Sequence, residues 1–235
     1  MASQQSGETG DRLDLASIVR LIKQGEAVDS VLKLIADSDP EKLTKVSGEG
    51  NSLLHSFALL GSYELVKAIW MKGARPSIIQ VDHSTILHSA VRTQDESEDE
   101  GRAQILQLFL SCEKHGSDLK ASINLQNSKG WTALKLAARK NLERCVEVLL
   151  DNGADPDIPD EEQFTALHNS VGFPAIVKLL LTKANNINSQ NGDGETPLCL
   201  AAERGLAESA LTLLEYKADP NIINKEGDYP IINAN

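Results

Sequence analysis

Apolar residues occur along this chain in short segments with helical spacing, separated by polar turns. One kind of segment begins with Ser or Thr, continues with two apolar residues, and starts at Ser52, Thr85, Thr132, Thr165 and Thr196. A second kind, with apolar residues three and four apart, covers residues 64–70, 143–150, 175–181 and 208–214. Because residues at this spacing share one side of a helix, the pattern predicts pairs of short amphipathic helices.

The segments that begin with Ser or Thr recur at a nearly constant interval. The next segment starts 33 residues after Ser52, Thr132 and Thr196, and 31 residues after Thr165. The segment at Tyr229, which lacks the initial Ser or Thr, is a decayed sixth copy. Self-similarity at a fixed period of this size indicates a repeat architecture, in which each unit buries its apolar side only by stacking on its neighbours.

Each unit also carries signals for where its helices start and end. The Ser or Thr hydroxyl can cap the first helix, and Pro197 suits a first helical turn. Gly61, Asn141 and Gly205 lie where the first helix must end in a left-handed conformation. Turn phrases that contain Ala and Pro follow the second helices, at residues 73–76, 153–156 and 217–221.

With these segments in register, the chain resembles the ankyrin-repeat family over about residues 12–235. The resemblance implies an all-α fold, a solenoid of stacked helix-turn-helix units with β-turn fingers. It divides the chain into a disordered tail (1–11), a degenerate N-terminal capping helix pair (12–47), five repeats (48–80, 81–127, 128–160, 161–191 and 192–224) and a partial sixth repeat or C-terminal cap (225–235). Since Ile231 and Ile232 would lack a covering helix, we expect the chain to be part of a longer protein.

The second repeat is interrupted by two insertions. The interval from Thr85 to Thr132 is 47 residues. The residues in excess of the usual 33-residue interval lie in two places. One part lies between the two helices and contains the acidic run 95–100, and the other lies in the finger around residues 113–122. The acidic run suits a solvated loop, a docking site for a basic segment, or a regulatory site in which Ser97 is phosphorylated.

The charge and cysteine content narrow the classes of partner. The chain has 23 Lys and Arg against 34 Asp and Glu, a net charge of −11. This argues against nucleic-acid binding and a polybasic membrane anchor, and it favours a protein partner with basic surface. Three cysteines without close spacing favour a reducing compartment. We expect a cytoplasmic protein that can also enter the nucleus.

The residue types that most often act in catalysis have structural explanations in this sequence. His55, His88 and His168 share one position of the repeat, where the resemblance implies a hydrogen bond to the neighbouring finger. Lys135 and Cys199 fill the same position in other repeats. Cys145 and Trp70 fall at core positions of second helices. No catalytic, cofactor-binding or metal-binding residues are predicted, and no enzyme is expected.

The resemblance implies protein binding along the finger tips and the inner side of the first helices. The residue before each Ser or Thr is expected to be exposed there: Asn51, Ser84, Trp131, Phe164 and Glu195. Two aromatic rings in adjacent fingers suit binding anchors; the alternative is that they pack on adjacent fingers and stiffen the array.

Other candidate partner-binding residues lie near the first helices. Leu59 and Leu60 would form an apolar patch. Arg92, Arg139, Lys140 and Arg204 follow first helices, and Lys129, Lys135 and Arg144 add to a basic third repeat. In the family, the asparagine that ends a finger phrase can be hydroxylated, which makes Asn221 and Asn188 candidates.

The sequence therefore predicts a non-catalytic protein-interaction module, an adaptor, scaffold or inhibitor that is monomeric on its own. A narrower version masks a basic segment, as ankyrin inhibitors of transcription factors do. The alternative is a targeting domain of a longer enzyme, channel or bacterial effector.

Overall fold

The structure, a computed structural model, describes residues 28–39, 43, 52–74, 80, 82–92, 99–111 and 116–230. Within these residues there are twelve helices: α1 (Val28–Asp37), α2 (Leu53–Leu59), α3 (Tyr63–Met71), α4 (Ile86–Val91), α5 (Asp99–Ser111), α6 (Gly116–Ala121), α7 (Ala133–Arg139), α8 (Glu143–Asp151), α9 (Ala166–Ser170), α10 (Pro174–Leu181), α11 (Pro197–Glu203) and α12 (Ala207–Glu215). Ser97 and Asn51 lie outside the described residues, as do Ile231 and Ile232.

The helices stack in two parallel rows. The first helices of the repeats, α2, α4, α7, α9 and α11, contact one another in that order. The second helices, α1, α3, α5, α8, α10 and α12, form the other row, and each repeat joins the rows through its own pair. This arrangement confirms the all-α solenoid of helix-turn-helix units.

Local signals in the sequence define the helix boundaries as predicted. Thr132 and Thr196 accept hydrogen bonds on their side chains from the backbone N–H three residues later, each at 3.2 Å. Gly61, Asn141 and Gly205 have φ angles of 71°, 56° and 66°, so the left-handed ends of the first helices are confirmed.

The apolar stripes meet between the two rows and form one continuous core. Trp70 is buried there, with its ring 5.2 Å from that of Phe109. Cys145 is fully buried, and burial raises the pKa of its thiol. Both residues therefore hold the core positions that the sequence predicts.

Both insertions in the second repeat contribute helical residues in the part of the chain that the structure describes. The acidic run ends in α5, where Asp99 accepts hydrogen bonds from the backbone N–H groups of Arg144 (2.7 Å) and Cys145 (3.0 Å). Asp99 thus caps the start of α8 in the next repeat. The second insertion includes α6, which packs on α5. The sequence places this insertion in the finger, and the structure adds that its residues 116–121 form a helix.

Arg102 of α5 joins this second helix to the first helices α2 and α4. Its guanidinium is buried and donates to the carbonyls of Ala90 (2.8 Å), Leu59 (3.0 Å) and Ala58 (3.4 Å). These carbonyls lie at the C-terminal ends of α2 and α4, where helical partners are missing and a cation is favoured.

Five fingers project from the stacked helices within the described ranges, numbered here by the repeat that follows: finger 2 (80–84), finger 3 (127–131), finger 4 (160–164), finger 5 (191–195) and finger 6 (224–228). Each is a tight turn in which the N–H of the first residue donates to the carbonyl of the last, at 2.8–3.0 Å. In fingers 3 to 6 the first side chain is Asn or Asp, and its oxygen accepts two further backbone N–H groups.

Buried histidines connect each of two first helices to the finger of the next repeat. His88 Nε2 donates to the Trp131 carbonyl at 2.8 Å, and His168 Nε2 donates to the Glu195 carbonyl at 3.0 Å. In each case Nδ1 accepts the N–H of the Thr that caps the same helix, at 3.1 Å. The neutral ring with its proton on Nε2 satisfies both bonds, and the predicted bond to the neighbouring finger is confirmed for His88 and His168.

In the third repeat a lysine makes the same connection. Lys135 is only 1% exposed; its ammonium donates to the Phe164 carbonyl and lies 2.8 Å from the Asp160 carboxylate. Burial lowers the pKa of Lys135, and the carboxylate opposes that shift. The assignment of Lys135 to a basic surface is therefore wrong, because its charge is buried in the stack and paired with Asp160.

The Lys135–Asp160 pair should be replaceable by the His and Asn found in the neighbouring repeats. We expect Lys135→His or Asp160→Asn alone to lower the free energy of unfolding by about 3 kcal/mol, because each leaves one buried charge without its partner. The double variant recreates the His168–Asn191 arrangement and should lie within about 1 kcal/mol of the parent. Urea unfolding of the four proteins measures this coupling, and additive losses would contradict it.

Stability should also fall as His168 becomes protonated. Burial lowers the pKa of His168 from 6.5 to about 4. The unfolded chain then binds more protons between these values, so the stabilisation is complete above pH 6.5 and is lost as the pH falls toward 4. From about pH 7.5 to about pH 5, the parent should lose about 2 kcal/mol more than His168→Gln. Urea unfolding at the two pH values checks this, and equal losses would contradict it.

Candidate partner-binding face

The fingers and the first helices together form one side of the molecule, called here the finger face. Two neighbouring fingers and the helix ends behind them enclose a groove. Such grooves among the described residues include groove 2–3 (270 Å³), groove 3–4 (330 Å³) and groove 5–6 (510 Å³), each named by its two fingers. These grooves are the sites where the finger face can receive side chains of another molecule.

Trp131 lies at the centre of the predicted site, because it lines both groove 2–3 and groove 3–4. Its ring is half-buried, and the Arg139 guanidinium stacks over it, 4.7 Å from the ring centroid. Phe164 lines the other side of groove 3–4; it is half-buried and packs in a T-shaped arrangement with the His168 ring (5.6 Å between centroids). Both rings are thus less exposed than predicted, and each combines a contact within the stack with an open side.

Groove 3–4 therefore contains four of the residues that the sequence proposes for partner binding. Trp131, Arg139 and Phe164 are joined there by Arg204 from the end of α11. Glu162 also lines this groove, and sequence reasoning did not select it for binding.

Groove 2–3 contains three further cations from the predicted set. Arg92, Lys129 and Lys140 line it together with Trp131. Arg92 lies 4.0 Å from Asp82, and both side chains are well exposed. Such an exposed pair is weak, so Arg92 remains available to a partner.

Three other expectations about exposed residues need correction. Ser84 is only 4% exposed, because its hydroxyl and its backbone N–H both bond to Asp82 at 3.0 Å. Arg144 lies on the second-helix row, paired with Glu147 and Glu100, and is absent from the groove linings. Leu59 is 44% exposed, whereas Leu60 packs partly against the core, so the predicted apolar patch is reduced to one leucine.

The two asparagines proposed for hydroxylation differ in their surroundings. Asn221 is exposed, and its side chain donates to Asp219 at 3.0 Å. Asn188 is half-buried, and its side-chain oxygen accepts the N–H of Asp219 at 2.9 Å. An enzyme would reach Asn221 with less local opening, so Asn221 stays the better candidate.

Two further searches cover the residues that the structure describes. No group of three or more His, Cys, Asp or Glu side chains is placed to hold a metal ion within this part of the chain. None of the described helices has the length and apolar content needed to cross a membrane.

Known proteins share this arrangement of helices. The ankyrin repeat domain of Bcl-3, described as a unique member of the IkappaB protein family, superposes with a TM-score of 0.68 over 93% of both chains, at 23% identity. This likeness shows the fold.

Sequence comparison finds relatives of much greater length. The nuclear factor NF-kappa-B p105 subunit of Gallus gallus is 28% identical over 224 residues, which are 93% of this chain and 22% of that protein. The B-cell lymphoma 3 protein homolog of Mus musculus is 28% identical over 187 residues, 77% of this chain and 39% of that protein. This chain thus spans less than half the length of either relative.

Family descriptions match the same repeats. "Ankyrin repeats (3 copies)" matches residues 96–191, and "Ankyrin repeats (many copies)" matches residues 179–234. Together the two matches extend over more than half of the sequence. The chain belongs to the ankyrin-repeat family.

Proposed function

We propose that this chain is a non-catalytic protein-interaction module that binds a partner protein along its finger face, with Trp131 and Phe164 as anchors. The observation that carries the proposal is groove 3–4, where two half-exposed aromatic rings from adjacent fingers lie on either side of one cavity lined by Arg139 and Arg204. Aromatic and arginine side chains are the residue types that most often dominate binding energy at protein interfaces.

The anchors are also held in place before a partner arrives. The backbone carbonyl of Trp131 accepts a bond from His88, and that of Phe164 accepts one from Lys135. The Trp131 ring is stacked under Arg139. Ordering such side chains on binding costs little further conformational entropy, which favours affinity.

The relatives support a role in signalling, as an adaptor, scaffold or inhibitor. The narrower version of this role is an inhibitor that masks a segment of its partner, as ankyrin inhibitors of transcription factors do, and similarity to the NF-kappa-B p105 subunit is in line with it. A masked basic segment would suit groove 5–6, which is lined by Asp193, Glu195, Glu203, Glu226 and Asp228. A monomer that works in the cytoplasm and nucleus fits this proposal.

The second candidate function is a targeting domain within a longer protein. It is favoured by the small share of each relative that this chain spans, 22% and 39%. The finger face would then bring the catalytic or transport part of that protein to its partner.

Removing both rings should abolish partner capture. Trp131→Ala/Phe164→Ala bait and parent bait would be compared in affinity capture from cell lysate, followed by titration of the protein that binds. We expect binding at least about 30-fold weaker, because a hot-spot residue contributes about 2 kcal/mol or more.

The matched control is Met71→Ala/Leu211→Ala, which removes two exposed apolar side chains from the second-helix row. This control should capture the partner as the parent does. Circular dichroism establishes that each bait is folded. If Trp131→Ala/Phe164→Ala unfolds, Arg204→Glu replaces it, because Arg204 is exposed at the rim of groove 3–4. Unchanged affinity of a folded anchor variant would exclude Trp131 and Phe164 as anchors.

A further inference from the structure

Charge is divided along the finger face in a way that the net charge of the chain hides. Groove 2–3 is lined by Arg92, Lys129 and Lys140 against the single acid Asp82. Groove 5–6, in contrast, is lined by five acids and only one cation, Lys225. The face is therefore positive at its centre and negative at its C-terminal end.

Groove 3–4 continues the positive region. Arg139 and Arg204 face Glu162 across it, while Asp160, the other acid in the lining, is buried and paired with Lys135. Because that pair is neutral as a whole, the exposed charge of groove 3–4 is also positive. Trp131 stands between the two positive grooves and lines both.

We propose that the two grooves on either side of Trp131 bind an acidic, extended segment of the partner protein. Carboxylates of the segment would bind Arg92 and Lys140 in groove 2–3 and Arg139 in groove 3–4, while an apolar side chain between them would rest on the Trp131 ring. This inference rests on the proposed function, since it specifies the chemistry of the partner at the same anchors.

The cations concerned are available to such a segment. Within the described part of the chain, Lys129, Lys140 and Arg204 make no ion pair. The Arg139 guanidinium carbon lies over the Trp131 ring, 4.7 Å from its centroid. A guanidinium in this position can still donate hydrogen bonds to a carboxylate through the N–H groups that point away from the ring. The planar pair of N–H groups on a guanidinium matches the two oxygens of a carboxylate, which favours a carboxylate over a less directional anion.

Distance explains how an acidic chain can attract an acidic segment. Salt at physiological strength screens exposed charges beyond about 8 Å. A segment in groove 2–3 therefore interacts mainly with the three cations that line it, and only weakly with the acids of groove 5–6. Like charges brought together in an interface are unfavourable, so a basic segment is excluded from the grooves beside Trp131 and directed to groove 5–6.

The test uses the full chain and two short fluorescein-labelled peptides. One peptide has Asp and Glu on either side of a central Leu, and the other has Lys and Arg at the same positions. Fluorescence anisotropy gives the affinity. The position of binding comes from the NMR signal of the Trp131 indole N–H, with the buried Trp70 as the internal reference.

The decisive variant reverses two cations, Arg92→Glu/Lys140→Glu. The matched control, Lys178→Glu/Lys183→Glu, makes the same change in net charge on exposed lysines at α10, in the second-helix row. We expect the acidic peptide to shift the Trp131 signal, to bind roughly tenfold or more weakly to the first variant, and to bind the control within about twofold of the parent.

Each contrary result has a distinct meaning. If the basic peptide shifts the Trp131 signal and the acidic peptide does not, the charge assignment is overturned while Trp131 remains a binding residue. Equal weakening by the control variant shows general electrostatics and overturns the proposal. The proposal is also overturned if an oligothymidylate, a polyanion without carboxylates, binds as tightly as the acidic peptide. It is overturned as well if the acidic peptide does not bind at about 1 mM. Failure of the proposed function itself would appear separately, as unchanged partner capture by the folded Trp131→Ala/Phe164→Ala bait.

Discussion

The structure depends on one recurring interaction, a bond from a buried side chain of a first helix to the backbone carbonyl at the end of the next finger. His88, Lys135 and His168 make it in three successive repeats. Each bond crosses from one repeat to the next, so it fixes the stacking that buries the apolar stripes. In a solenoid such contacts between neighbours replace the long-range contacts that hold a globular domain together.

The same bonds build the binding face. Each carbonyl that is held belongs to the residue whose side chain lines a groove: Trp131, Phe164 and Glu195. The backbone of these residues is fixed by the stack, and their side chains vary. Two repeats present aromatic rings beside cations, and the next presents a carboxylate in an acidic groove. A constant scaffold thus carries a variable surface, which is how one fold serves many partners.

Sequence reasoning was most successful where a signal was local. Helix caps and the left-handed Asn141 follow from a few adjacent residues, and the histidine bonds are implied by the resemblance to the ankyrin-repeat family. It failed where two distant residues decide the outcome. Lys135 looks like surface charge until Asp160, in the following finger, is found against it. The helix within the second insertion escaped prediction because its short segment, Gly116–Ala121, lacks a clear apolar period. The half-burial of Trp131 depends on Arg139, which stacks on it.

The central claim is that a buried side chain of the preceding first helix holds each of fingers 3, 4 and 5, and hydrogen exchange tests it most directly. In Lys135→Met, we predict faster amide exchange in finger 4, where Asp160 and Phe164 bond to each other. Finger 3 should keep its protection, because His88 still holds the Trp131 carbonyl. Unchanged exchange in finger 4, or equal acceleration in both fingers, would contradict the account.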